Sequence, residues 1–296
     1  MIGLRSKRII SDTIIYLVLT VMVVIWLFPL VWMLLRAFDT NFSNYSKTIF
    51  PESFTMENFK NLFTGGDYDR YPYARWLLNT FLVALGSCAI STLMVLMVSF
   101  ALSRLRFKAR KKLMNIALIL GLFPGFLSVI ALYYIFNQFG LAGSTPSGDE
   151  NPLSLVGLML AYSLASGMGY YIVKGFFDTV PIAIDEAARI DGATKHRIFW
   201  QMIIPLSKPI IIYTILTSFI GPWCDFILAK VFIKNVKYYT VAIGIQQWLS
   251  TDDQIIRDHF ARFCAGGMLI SVPIVLLYII MQKFYVAGIT GGAAKG

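Results

Sequence analysis

Uncharged, mostly apolar stretches recur along the chain at roughly 13–35, 76–103, 113–139, 153–173, 206–229 and 263–282. A helix needs about 20 apolar residues to cross the hydrocarbon layer of a bilayer. Inside that layer the backbone has no water to bond, so such runs must be helices that satisfy their own N–H and C=O groups. The pattern predicts an all-α integral membrane protein with six transmembrane helices, forming a single domain over 1–296. The fifth run is interrupted by Gly221-Pro222 and followed by Asp225, and the sixth contains Pro273. The first run, Ile14–Leu35, follows Arg5, Lys7 and Arg8. It is longer than the apolar part of a cleaved signal peptide and ends in bulky side chains, so it reads as an attached first span.

The polar segments fix an orientation. Six of the 26 Lys and Arg residues lie in Arg104–Lys112 alone. Basic residues are retained on the cytoplasmic side during insertion. Both termini, Arg104–Lys112 and residues 178–209 are therefore expected inside, with 39–75 and 230–262 outside. The first external segment carries Phe42, Phe50, Phe54, Phe59 and Tyr68. Loops of this length between membrane helices carry function or dock a partner.

Composition agrees. The 296 residues are 57% hydrophobic and only 14% charged, with a mean hydropathy of +0.67. Soluble domains average about 45–50% apolar and about 25% charged residues. The net charge of +10 sits in short stretches beside apolar runs, which argues against nucleic acid and for a membrane. Cys88, Cys224 and Cys264 are far apart, and His196 and His259 stand alone, so neither a disulfide framework nor a metal site is expected.

Residues 178–209, DTVPIAIDEAARIDGATKHRIFWQMIIPLSKP, break the membrane pattern. Pro181 can open a helix, since it lacks only an N–H that would be unpaired there. Ile182–Ile190 then forms a short helix. Gly192 can take the left-handed conformation that ends it, and Thr194 can cap a second helix, Lys195–Ile203. Pro205 and Pro209 mark a bend back into the membrane. Two and a half turns are marginal in water, so the first helix needs docking for stability. Ala187, Ala188 and Ala193 offer a small-residue face for close approach, and Asp185 and Glu186 offer charge to basic groups of a partner.

Asp185-Glu186-Ala187-Ala188-Arg189-Ile190-Asp191-Gly192-Ala193, followed by Phe199 and Met202-Ile203-Ile204-Pro205, resembles the EAA loop of binding-protein-dependent ABC importer permeases. That pattern is EAA, three residues, Gly, nine residues, then I-x-L-P. Here Met202 stands for the Ile and Ile204 for the Leu, apolar swaps of similar volume. Phe28-Pro29-Leu30, Leu102–Phe107 and Phe123-Pro124-Gly125 resemble the sugar-importer branch. Tyr239–Gln247 and the tail Gly291–Gly296 are similar to the G-type permease subunit of maltose and maltodextrin importers.

The resemblance implies a type I ABC importer permease fold in the inner, cytoplasmic membrane. It implies a heterodimer with a second permease, a cytoplasmic ATPase homodimer, an external solute-binding protein and an oligosaccharide substrate. The chain has no GxxxxGK[ST], so ATP and Mg are expected on the ATPase. Asp185, Glu186, Ala187, Ala188, Asp191, Gly192, Ala193 and Pro205 are implied to couple to the ATPase. Tyr238, Tyr239, Gln246, Gln247 and Trp248 are implied to meet the binding protein, and Gly291, Gly292 and Lys295 to lie between ATPase subunits. The sugar itself is implied to sit on the partner permease, so no substrate residue is named here. Asp225 is expected near the outer interface, solvated.

Other readings make different demands. A secondary transporter predicts internal repeats and acids near the midplane, and the chain has no clear halving. A membrane enzyme needs a constellation of His, Asp, Glu or Ser, which two isolated histidines do not supply. An ABC permease for amino acids, phosphate or osmolytes would carry the same EAA loop.

Overall fold

A computed structural model describes residues 4–40, 50–51, 53–66, 68–122, 125–144, 151–164, 167–249 and 253–293. In chain order the helices are α1 (Leu4–Ala37), α2 (Glu57–Thr64), α3 (Tyr73–Arg104), α4 (Arg110–Gly121), α5 (Gly125–Gln138), α6 (Leu153–Leu164), α7 (Gly167–Thr179), α8 (Ile182–Ile190), α9 (Lys195–Ile198), α10 (Ile204–Leu206), α11 (Lys208–Cys224), α12 (Ile227–Phe232), α13 (Val241–Gln246) and α14 (Asp253–Ala293). Among the described residues Ser11–Ala37, Tyr73–Arg104 and His259–Gln282 are each long and apolar enough to cross a membrane. Three bent pairs pass the same test, which makes up to six spans if each pair is one. Two regions predicted as single runs are such pairs: α4 with α5 turn by 104°, and α6 with α7 by 45°. Phe123 and Pro124, at the first break, lie outside the described residues. The third pair, residues 195–206 with α11, turns by 85°.

The chain divides into two compact units. One comprises Met1–Asp69 with Ile245–Leu269. Here α1 runs through Pro29 and leaves its apolar side chains from Ile14 to Val31 largely exposed. A coat of this kind needs lipid or another protein around it. At the end of α1, Arg36 makes a buried ion pair with Asp39 and lies 5.9 Å from the Phe260 ring centroid. Asn58 of α2 donates to the carbonyls of Ala37 at 3.0 Å and Asp39 at 2.8 Å. Phe59 packs on Phe38 at 5.0 Å. Thus part of the predicted 39–75 loop is a folded cap, while Phe42 lies outside the described residues.

The other unit comprises Arg70–Gly244 with Ile270–Gly296. Its centre is α3, which packs on α6, α7 and α11. The buried face of α3 interleaves small and hydroxylic residues, Ala84, Ser87, Ser91 and Ser99, with larger apolar ones, Val83, Val95, Leu96 and Phe100. Ser99 donates to the Tyr170 carbonyl at 3.0 Å, Ser163 to that of Ser87 at 3.4 Å, and the Ser91 and Ser218 hydroxyls meet at 3.2 Å. Lipid tails are as apolar as leucine, so close packing and such interhelical bonds hold membrane helices together. The predicted span 206–229 is α11 followed by α12, and Asp225 does more there than face solvent. Its Oδ1 accepts from the Leu228 N–H at 3.1 Å and caps α12.

Candidate functional site

The EAA segment folds as a short rod on one end of α3 and α7. Pro181 is the N-cap of α8. At the other end the Ala193 N–H reaches the Ala188 carbonyl at 2.9 Å and the Gly192 N–H that of Arg189 at 3.0 Å. These are the two bonds of a Schellman cap, which requires a left-handed residue. Gly192 supplies it with φ +80°. Thr194 Oγ1 accepts from the Arg197 N–H at 3.3 Å and starts α9. The predicted helix Lys195–Ile203 is then only partly regular. After Ile198 it widens into a π turn, Phe199–Ile203, in which the Ile204 N–H bonds five residues back to Phe199. Pro205 follows with no N–H to give, and the chain bends at the buried Ser207.

The two faces of α8 differ. Ala188 is buried in a cluster with Leu96, Phe100, Phe177, Phe199 and Ile203, and Ile184 and Ala193 pack against it. Phe100 and Phe199 lie 5.0 Å apart. Asp185, 2% exposed, also turns inward. Its carboxylate stands 3.6 Å from Nε of Arg104, at the end of α3. Two of the residues expected to face the ATPase, Asp185 and Ala188, therefore serve this chain's own packing. Helical spacing explains it, since residues three apart share a face. The outward face carries Ile182, Ala183, Glu186, Ala187, Arg189, Ile190 and, beyond the helix, Asp191. Ile190 is 87% exposed. Pro205 is exposed too, while Ala193 is half-buried.

Arg104 holds three groups at once. Besides Asp185, its Nη2 donates to the carbonyls of Phe177 at 2.8 Å and Val180 at 2.7 Å. Beside it Ser103 donates to Asp178 at 2.6 Å, and Asp178 is ion-paired to Lys174. The sequence offered Arg104 only as one more positive charge in a basic loop. Its burial could not be read without knowing that α8 folds back over it.

The opposite end of α3 is clamped in a matching way. Trp76 Nε1 donates to the Val236 carbonyl at 2.8 Å, and Asn79 to those of Lys237 at 3.1 Å and Tyr239 at 3.0 Å. Thr80 accepts from the Val241 N–H at 2.7 Å. Gly244 lies flat on Trp76, where a Cβ would come within 2.0 Å of a ring carbon. Residues 230–262 are thus no open loop: α12, a 3₁₀ turn Val236–Tyr238, α13, a 3₁₀ turn Gln247–Leu249 and the start of α14 fill most of it. Of the residues implied to meet a binding protein, Tyr239 and Trp248 are buried at 6% and 1% exposure. Large aromatic rings went to the fold here. Gln246 is exposed, and Tyr238 and Gln247 are half-exposed.

Gly291 and Gly292 belong to the last turns of α14, and Lys295 lies outside the described residues. A cavity of about 290 Å³ opens among α3, α6, α7 and α11, lined by Ser91, Tyr162, Tyr213, Thr214, Thr217 and Ser218, among others. Thr214 and Thr217 already give their protons to the Ile210 and Tyr213 carbonyls. The space reads as a joint between helices rather than a site built for a ligand.

Comparison with known proteins defines the class. Residues 94–289 match the family of binding-protein-dependent transport system inner membrane components. The chain belongs to that family: it is an integral membrane permease component and not an enzyme. It is 32% identical to the galactooligosaccharides transport system permease protein GanQ of Bacillus subtilis, over 99% of both chains. It is 30% identical to the maltodextrin transport system permease protein MalD of Streptococcus pneumoniae, again over 99% of both. A chain from the crystal structure of a bacterial ABC transporter involved in import of the acidic polysaccharide alginate shares the fold. Its TM-score is 0.75 at 17% identity, covering 96% of this chain and 99% of that one.

Proposed function

We propose that this chain is one of two permease subunits of an ATP-driven importer of neutral oligosaccharides of the maltodextrin kind, in the cytoplasmic membrane, with both termini inside. The observation that carries the reading is the outward face of α8. It presents Ile182, Glu186, Ala187 and Ile190 on a rod capped by Gly192 and anchored from behind. An exposed isoleucine beside a carboxylate, outside the spans, fits a groove on a protein partner with apolar walls and a basic residue. That partner is an ATPase dimer, which binds ATP and Mg. Its closure moves α8 and switches the spans between inward and outward opening. Nucleotide can shift that equilibrium only by binding the two states unequally. On the outer side, Tyr238, Gln246 and Gln247 meet a sugar-loaded binding protein. The helical end of α14, with Gly291 and Gly292, reaches toward the ATPases.

Maltodextrin is favoured because relatives over the full chain include maltodextrin permeases. The galactooligosaccharide relative makes galactooligosaccharides the second reading. The test is uptake into vesicles holding the complete complex, with ATP inside and binding protein outside. Labelled maltotriose should accumulate only with ATP. Preference for galactooligosaccharide would replace the substrate, and accumulation without ATP would overturn the importer reading.

A further inference from the structure

We propose that α3 is a connecting rod between the external segment and the coupling helix, and that Arg104 is the positioning residue at its inner end. This rests on the importer reading. Both partner-facing segments of this unit are tied to one helix by buried side-chain bonds. At one end Trp76, Asn79 and Thr80 hold the backbone of 236–241 through four hydrogen bonds. At the other, Arg104 holds Phe177, Val180 and Asp185.

Between the two clamps, from Thr80 to Arg104, lie about 36 Å of helix at 1.5 Å per residue. The run Tyr73–Arg104 contains no proline and winds as one unbroken helix; its Gly86-Ser87 step, of a kind that can seat a kink, is held by α6, with Met159 packed on Gly86 and the Ser163 hydroxyl donating to the Ser87 carbonyl. A displacement of the external segment therefore arrives at α8 as a displacement of the rod. The neighbouring route is softer. The path from α8 into α11 passes the π turn and the 85° bend.

Arg104 suits the inner joint. A guanidinium presents several donors in a fixed fork, where a lysine is a single point charge. Here the fork grips the α7 end by two carbonyls and α8 by a carboxylate, so the three helix ends are held as one body. Asp185 Oδ1 and Arg104 Nε make no hydrogen bond, and the pair at 3.6 Å is longer than the usual charge-assisted bond. The α8 side of the joint is thus its weaker half, the one that can tighten or part as the ATPases close.

The experiment uses the complete complex in vesicles and reads two rates: ATP hydrolysis without binding protein, and its stimulation by binding protein loaded with maltotriose. Arg104→Lys should keep assembly and the unstimulated rate but lose at least three-quarters of the stimulation. Asn79→Ala, at the far clamp, should do the same, and the double variant should be no worse than the more affected single one. A part that is only structural would lower both rates together with the amount of complex. If Arg104→Met fails to accumulate, Arg104→Met/Asp185→Leu, which leaves no unpaired buried charge, should accumulate and still be unstimulated. Wild-type stimulation in Arg104→Lys, or in that double variant, overturns the rod. Absence of any stimulation in the wild type overturns the importer reading instead.

Discussion

Gly192 and Gly244 are both required, but for unlike reasons. At Gly192 nothing lies within 4 Å of where a Cβ would stand, yet φ is +80°, so the cost of any side chain is conformational. A β-branched residue there costs roughly 1–2 kcal/mol and loosens the Schellman cap. Gly192→Val should therefore leave the protein in the membrane while uptake falls several-fold, and Gly192→Asn should retain more, since asparagine tolerates this region. At Gly244 the backbone is ordinary and the space is taken by the Trp76 ring. Gly244→Ala should lower the melting temperature in detergent, the overpacking costing about 1–3 kcal/mol. The buried pair behaves differently again. Arg104→Ala strands the Asp185 carboxylate and should cost about 3–5 kcal/mol, whereas an apolar pair at both positions should cost less, the remaining loss being the Arg104 donor to the Phe177 and Val180 carbonyls.

At the scale of elements, α8 owes its stability to what lies behind it. Its inner face is packed, so it persists without a partner, and its outer face is free to be read. Glu186→Lys reverses the carboxylate at the middle of that face and should abolish co-purification of the ATPase without changing the amount of permease. Ile190→Asp should do likewise by placing a charge in an apolar groove. How much of this was legible follows from the range of the forces. The cap at Gly192 and Thr194 depends on neighbours a few residues away, and the residue order alone announced it. The turn of Asp185 toward Arg104 depends on α3, distant in sequence, and no local pattern carries it. The π turn was equally hidden, because apolar residues at Phe199, Met202 and Ile203 suit a regular helix as well. The bends in 113–139 and 153–173 escaped for a related reason: hydropathy measures length of run and is blind to direction.

For the molecule as a whole, the apolar runs gave the class of protein, since insolubility in water is a property of composition and needs no contacts. The clamps at the two ends of α3 needed contacts and came only with the structure. The segment 230–262 shows the same divide: its aromatics suggested a binding surface, yet Tyr239 and Trp248 are interior. Cysteines placed singly at Lys108 and at Tyr238, in a background with Cys88, Cys224 and Cys264 replaced, should report opposite sides. A membrane-impermeant maleimide added to intact cells should label position 238 and spare position 108.

The π turn at Phe199–Ile203 has an arithmetic consequence. A turn of that kind holds one residue more than regular winding needs, so a lineage that lost Gln201 would regain an ideal helix. The segment upstream would keep nearly the same phase about the axis, because the wide turn already takes up the extra residue within one turn. Removing a residue from the regular winding of α11 instead would rotate everything upstream by about 100°, pulling Phe199 off Phe100 and carrying α8 round with it. The irregular winding is thus a local allowance: it absorbs one residue and leaves the aim of α8 unchanged.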